Sequence, residues 1–422
     1  MRERFDFIVV GVSAAEAALA ALLARDGYAV LLAGIGESNA DASEDRNRFH
    51  CLPPLQSGLS DGPYARIAAY AGAHLPVARR EPAWRMHFAQ QIIDIPADAG
   101  QWRRLRRALF PIQRDAAERF WQVQETAAAA ALRLAAQFDP LTGLQVWRQQ
   151  RLTVGDMFRR YDLVDLTLRA FVDTILLAHG LPVSDHCSWA AGSIALLPPH
   201  ETLVGHGDTL THIFTDALIR AGGEWSAHHQ VVELLADPTG VRGVRLKSGS
   251  EVAGRVVVLG PAGWPLISRR LESPPMLAIG ALTVEEAQLP SGLPWYHIVA
   301  GEPVPVIVSL TPSDNHSASW RLSVMLRLRL DDPVSIQNGE RQPAPELVAT
   351  LQSAVCKVLP ELASKITLHS VTLLPDPTRP TARPPMIQAG LWLLRQPAWL
   401  PPGYDNGSGT LRLYRQLRGL IR

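Results

Sequence analysis

Apolar positions gather early in the chain, in the run Phe7-Ile-Val-Val that closes at Gly11. An apolar run of this length ending at glycine fits a parallel strand buried on both faces. Ala14 to Leu23 follows, rich in Ala, Leu and Glu, and it stops near Asp26-Gly27, where glycine supplies the turn. That pattern predicts a helix. Ala29-Val-Leu-Leu then reads as a second strand. Strand, helix and strand within about thirty residues form a right-handed parallel crossover, the opening unit of a nucleotide-binding sheet.

From about Tyr64 to Leu197 the pattern turns helical, with an Ala-rich stretch from Thr126 to Gln137 and a helix expected from Leu166 to Leu177. This reads as an inserted helical cap. A loop at Gly205-His-Gly-Asp-Thr-Leu precedes a helix through Ile219, after which Val231 to Leu235, Gly243 to Leu246 and Val256 to Leu259 read as strands. Between about Met276 and Leu330, apolar segments separated by Gly, Pro and Ser predict a mixed or antiparallel sheet, and Glu346 to Leu362 an amphipathic helix. A Pro-rich connection, Pro375 to Pro385, leads to a closing strand and helix.

Composition narrows the class. The chain has 422 residues, 47% hydrophobic and 19% charged, which is globular and long enough for two domains. Its 41 basic and 40 acidic residues leave a formal net charge of +1, so no global field recruits nucleic acid. Cys51, Cys187 and Cys356 lie far apart, without zinc or disulfide spacing, which fits a reducing compartment. No signal-peptide succession opens the chain, and no charge-free apolar run reaches about twenty residues. The expected location is cytoplasmic, with membrane-surface contact left open.

Several collinear segments resemble the flavin-dependent phytoene desaturase, carotenoid isomerase and retinol saturase family. They are the opening Phe-Asp-Phe-Ile-Val-Val-Gly, Arg85-Met-His-Phe with Ile93-Asp-Ile-Pro, and Leu152-Thr-Val-Gly-Asp-Met-Phe-Arg-Arg-Tyr followed by Leu168-Arg-Ala-Phe-Val-Asp. Gly205-His-Gly-Asp-Thr-Leu, Val241-Arg-Gly-Val-Arg-Leu-Lys-Ser-Gly with Val256-Val-Val-Leu, and Gly390-Leu-Trp-Leu-Leu complete the series. The resemblance implies an α/β fold: a Rossmann-like FAD/NAD(P)-binding domain (1–63, 198–272 and 383–422) with an interleaved substrate domain of mixed sheet plus helical cap (64–197 and 273–382). It also implies FAD as cofactor and a long, hydrophobic polyene or isoprenoid substrate. In such enzymes hydride passes between substrate carbon and flavin N5, and no side chain need act as acid or base.

A dinucleotide loop needs one glycine for the turn, a second for close approach to the pyrophosphate, and a third small residue for helix packing. This chain offers Gly11, Ser13 and Glu16. An acid in the first helical turn suits the helix dipole but repels a phosphate bound there. A glutamate at the third position also looks like the Rab GDP-dissociation inhibitors, which use this fold to hold a prenyl group without redox chemistry. The ribose-binding acid at the end of the second strand is replaced by Ala33 and Gly34, with Glu37, Asp41 and Glu44 nearby in a polar loop. Arg46 and Arg48 are out of register for the family's Gly-Gly-Arg, and Phe49-His-Cys-Leu-Pro stands for its Phe-Asp-x-Gly-Pro. Expected cofactor-contacting positions are Gly11, Ser13, Glu16, Val231, Gly260, Gly390, Gly407 and Gly409, with Ser408 or Thr410 capping a helix from Leu411 to Leu420.

Other candidates read more plainly. Adjacent His228 and His229 on a strand point to opposite faces, so with His206 they make a poor chelate, and no metal is expected. Asp185-His-Cys-Ser is assigned to helix capping. The basic amphipathic segment 102–110, Trp-Arg-Arg-Leu-Arg-Arg-Ala-Leu-Phe, fits either peripheral membrane contact or a solvated face paired with Asp98, Asp115 and Glu118. Two functions stay open: a flavin-dependent desaturase, isomerase or saturase, or a non-catalytic relative that has lost flavin and binds an isoprenoid or supports a related partner subunit. A catalytic side chain is not assigned.

Overall fold

The computed structural model describes residues 4–35, 55–56, 59–60, 62–79, 81–136, 140–197, 201–203, 209–260, 263, 266–267, 276–290, 293–301, 304–312, 319–328, 334–337, 340–343, 345–363, 368, 371–375, 386–394, 404–405 and 407–420. Glu37, Asp41, Glu44, Arg46, Arg48, the Phe49-to-Pro53 element, His206 and its loop lie outside them.

The first sheet contains β1 (Arg4–Val10), β2 (Val30–Ile35), β8 (Glu224–Asp237), β9 (Gly240–Leu246), β10 (Glu251–Leu259), β18 (Met386–Gln388) and β19 (Leu391–Leu393). Its core is parallel, in the order β8-β2-β1-β10-β19, while β8, β9 and β10 also form an antiparallel meander. The register aligns Val10 with Ala33 and Leu259, and Leu259 with Leu393, so four carboxyl ends share one edge. Phe7, Ile8, Val9 and Val10 are fully buried. Their unbroken apolar run follows from cover on both faces: the meander packs on Ile8 and Val10, and helices pack on Phe7 and Val9.

Those helices are α1 (Ala14–Arg25), α2 (Pro63–Ala71), α9 (Thr209–Arg220) and α11 (Ser408–Leu420). Ala17 through Ala24 are all buried, which explains a helix apolar on every side. Asp26, at its end, accepts from Tyr70 Oη of α2 at 2.5 Å and Tyr414 Oη of α11 at 2.8 Å. Thus α2, expected at the start of the substrate region, packs in the first layer, where Tyr64 stacks on Phe214.

The second sheet runs β17 (Val371–Pro375), β11 (Met276–Glu285), β14 (Ser319–Arg327), β13 (Val306–Pro312), β12 (Tyr296–Val299), β5 (Trp84–Phe88), β6 (Gln91–Ile95). Among the described residues of this sheet, only β12 and β5 pair in parallel. Alternation along the strands splits its faces. Val306, Val308, Leu322 and Val324 meet α10 (Pro345–Val358), while Tyr296, Ile298, Ile307 and Met325 meet a helical cap. The helix expected through Leu362 breaks after Val358 because Pro360 disfavours helical backbone at Leu359. The cap contains α3 (Ala99–Leu109), α4 (Arg114–Ala136), α5 (Pro140–Gln150), α6 (Val154–Arg160), α7 (Leu166–Ala178) and α8 (Trp189–Ala195). Short ladders pair β3 (Leu55–Gln56) with β20 (Tyr404–Asp405), β4 (Val77–Arg79) with β7 (Glu201–Leu203), and β15 (Val334–Gln337) with β16 (Glu340–Pro343).

Segment 102–110, open to two readings in the sequence, turns its apolar side inward. Trp102 and Phe110 turn into the cap core, and Arg106, 2% exposed, pairs with Glu118 at 3.1 Å and Glu125 at 2.6 Å. Its guanidinium also lies over the Trp121 ring, 5.3 Å from the centroid. The apolar face is spent on protein, which leaves the exposed arginines 103, 104 and 107 outward. Among the described residues, no helix is long and apolar enough to cross a membrane.

Candidate crevice at the strand carboxyl ends

Open parallel sheets bind ligands beyond their strand carboxyl ends. Here β1 is followed by Gly11, whose φ of 131° only glycine adopts readily and whose N–H donates to Ala33 O at 2.8 Å. Ser13 is the N-cap of α1, yet its side chain bonds no backbone N–H. Its hydroxyl donates to the Glu16 carboxylate instead. Glu16 is 1% exposed and reaches from α1 across the ends of β1 and β10. A Cβ on Gly11 would stand 2.8 Å from Glu16 Oε1, and one on Gly260 only 1.6 Å. Both glycines therefore make room for this carboxylate. Gly260 N–H donates to Val10 O at 2.9 Å, fixing the floor between the two strands.

The remaining expected positions divide by strand end. Val231 is buried opposite Ile35, level with the carboxyl end of β2. Gly407 (φ 74°) packs its Cα on Tyr64 and Ile67 just before α11, and Gly409 is buried in that helix's first turn. Thr410 is not a cap, because the helix starts at Ser408; its hydroxyl donates to Ala15 O at 3.1 Å, joining the N-terminal turns of α11 and α1. Gly390 stands apart. It precedes β19, and Val257, three residues before Gly260, donates to its carbonyl. That places it about 10 Å from the carboxyl edge. Its φ of 75° and the approach of Val241 O, 2.2 Å from where a Cβ would sit, make it a turn glycine.

Backbone and side chains differ in how they suit a dinucleotide. The Gly11 turn, the α1 N-terminus and the Gly260 floor suit a dinucleotide. The side chain between them does not suit a diphosphate. A unit anion about 4 Å from a carboxylate costs about 4 kcal/mol at an effective dielectric of about 20. The helix N-terminus returns at most about 2 kcal/mol. Among the described residues, Glu16 in this place and the lack of an acid at Ala33 or Gly34 depart from the side-chain pattern of an FAD site.

Asp185, expected to cap a helix, is engaged in ion pairs with Arg159 and Arg169 instead. Burial pushes the Cys187 thiol up to about 12, which removes it as a nucleophile. Ser188 stands at the N-cap position of α8, although its side chain makes no capping bond. His228 and His229 lie in β8. Gln149 and Trp189, which flank a groove on the cap, carried no motif; the only signal was a row of leucines at helical spacing beside a polar pair.

Fold and crevice together define an α/β protein of the FAD/NAD(P)-binding, Rossmann-type fold. No protein-family model matches the sequence, and no curated protein does. Among solved structures, the chain is similar to a Rab GDI from Plasmodium falciparum, with 11% identity, a TM-score of 0.56, and 99% of this chain and 98% of that one covered. It is similar to an oxidoreductase from Methanosarcina mazei at 11% identity and TM-score 0.57, covering 98% and 99% of the two chains. A redesigned putrescine oxidase matches at 13% identity and TM-score 0.58, with 99% of each chain covered.

Proposed function

We propose that this chain is a non-redox member of the flavin-oxidoreductase fold class that binds a hydrophobic polyene or isoprenoid, or supports a related catalytic subunit. The Glu16 carboxylate, buried between Gly11 and Gly260, carries this reading. It fills the helix N-terminus, where a flavin enzyme would receive a diphosphate, with a carboxyl group of the chain's own.

The visible absorption spectrum of the purified chain tests this. A colourless protein that stays colourless after incubation with FAD is expected. The pair Ser13→Gly and Glu16→Gly should then gain measurable flavin affinity. Oxidised-flavin bands in the wild type would overturn the proposal, and mass spectrometry of extracted lipid would identify the hydrophobic ligand.

A second reading keeps redox activity, as a flavin-dependent desaturase, isomerase or saturase of a polyene. The positive φ of Gly11 and the unbroken parallel edge from Ala33 to Leu393 favour it. The same spectrum decides between them.

A further inference from the structure

Two loops of the cap, far apart in sequence, are tied together at their tips. Residues 110–113 join α3 to α4, and residues 161–165 join α6 to α7. The Gln113 side chain bridges them: its Nε2 donates to Asp162 O at 2.6 Å, and its Oε1 accepts from the Val164 N–H at 2.8 Å. Gln113 (φ 55°) and Asp162 (φ 50°) both hold left-handed backbone, which residues with a side chain adopt reluctantly. One amide bonded on both sides keeps the two tips in place.

What the tips present to water is aliphatic. Ile112 is 61%, Val164 70% and Leu166 78% exposed, beside the exposed Pro111. Ile112 adjoins the bridging Gln113 and Val164 is bonded to it, so these side chains stand on neighbouring stretches of backbone. The exposed charges around them are mostly basic: Arg104 and Arg107 in α3, Arg114 at the start of α4 and Arg160 at the end of α6, against Asp115 and Asp162. Among the described residues, none of these four arginines forms an ion pair.

We propose that this two-loop tip docks the chain on an anionic lipid surface. Ile112, Val164 and Leu166 enter the headgroup layer, and the arginines around them face lipid phosphates and carboxylates. The contact is made by the loops beyond α3, not by its apolar stripe, which the cap core has consumed. A protein partner suits the tip less. Protein interfaces of about 800 Å² per side are centred on aromatic or arginine anchors in pockets, whereas here the apolar centre is aliphatic and Phe110 is turned into the cap core. The proposal does not depend on what occupies the crevice.

Co-sedimentation of the full chain with vesicles of equimolar phosphatidylcholine and phosphatidylserine, and with vesicles of phosphatidylcholine alone, tests it. Binding to the mixed vesicles, weaker on phosphatidylcholine and reduced by added salt, is expected. Ile112→Ser with Leu166→Ser should weaken it at least about tenfold, since burying one such side chain is worth about that much. Arg107→Ser with Arg114→Ser should weaken binding to the mixed vesicles about tenfold and leave the weaker binding to phosphatidylcholine unchanged. Ile219→Ser, at a 51% exposed position on α9, should change neither. No binding to the mixed vesicles, or binding that Ile219→Ser weakens as much as the loop variants do, would overturn the proposal. So would a dimer, seen by light scattering, that the Ile112→Ser and Leu166→Ser pair dissolves while vesicle binding is absent. Circular dichroism of each variant confirms that it is folded.

Discussion

At the residue scale, buried titratable side chains set how the protein responds to acid. His297 is fully buried, donates through Nε2 to Pro294 O at 2.8 Å, and faces His87 at 3.4 Å. Burial first, and the His87 charge second, hold it down to about 3. Burial likewise holds His179, edge-on to Trp84, at about 4 against the opposing pull of the Ile175 carbonyl. Both stay neutral in the folded chain and take up protons on unfolding below about pH 6.5, so the unfolded state binds more protons. Stability is therefore complete above about pH 6.5 and falls as pH drops toward 4 and 3. At pH 5 each histidine accounts for a loss of about 2 kcal/mol. Urea midpoints across this range should show the slope, and His179→Phe, which keeps the ring beside Trp84, should reduce it; an unchanged slope would refute the assignment. Much at this scale was legible, since Gly11, Ser13 and Glu16 are found by local motif spacing. That Glu16 lies buried against Gly260 was not, because the contact joins residues far apart in the chain.

Among elements, α3 and α4 show what a pattern can and cannot tell. Arginines interleaved with Trp, Leu and Phe look the same whether the apolar stripe meets lipid or another helix. The partner, α4, decides it, through Trp121 against Trp102 and through Glu118 and Glu125 on Arg106. Removing one member of a buried ion network leaves the others uncompensated. Arg106→Ala should thus cost about 3–5 kcal/mol by chemical denaturation. Arg106→Met with Glu118→Gln should recover most of that, because the volume is refilled and one stranded charge is gone. A double variant no more stable than Arg106→Ala would mean that packing on the two tryptophans, not charge, holds these helices. Gly390 belongs here too: glycine before an apolar run was visible, but only the strand register tells which end of the sheet it occupies.

At the scale of the whole molecule, the first layer is built from chain segments at both ends. Layer composition and the order of strands and helices could be read from hydrophobic periodicity, but sheet order could not, since pairing β1 with β10 is a long-range choice. Removing 408–420 should strip Leu411, Leu413, Tyr414 and Leu417 from the core around α1. Amide exchange in α1 should then speed up far more than in β12 and β13, which belong to the other sheet; equal acceleration in both would mean that the two layers unfold as one unit. The bonds from Thr410 to Ala15 and from Tyr414 to Asp26 also impose a timetable on biosynthesis. At about 5–20 residues per second, the ribosome needs about 20–80 s to deliver the covering helix after the first helix emerges. Throughout that interval the side of this alanine- and leucine-rich segment that the last helix covers stays open, which makes it a natural client for a holding chaperone.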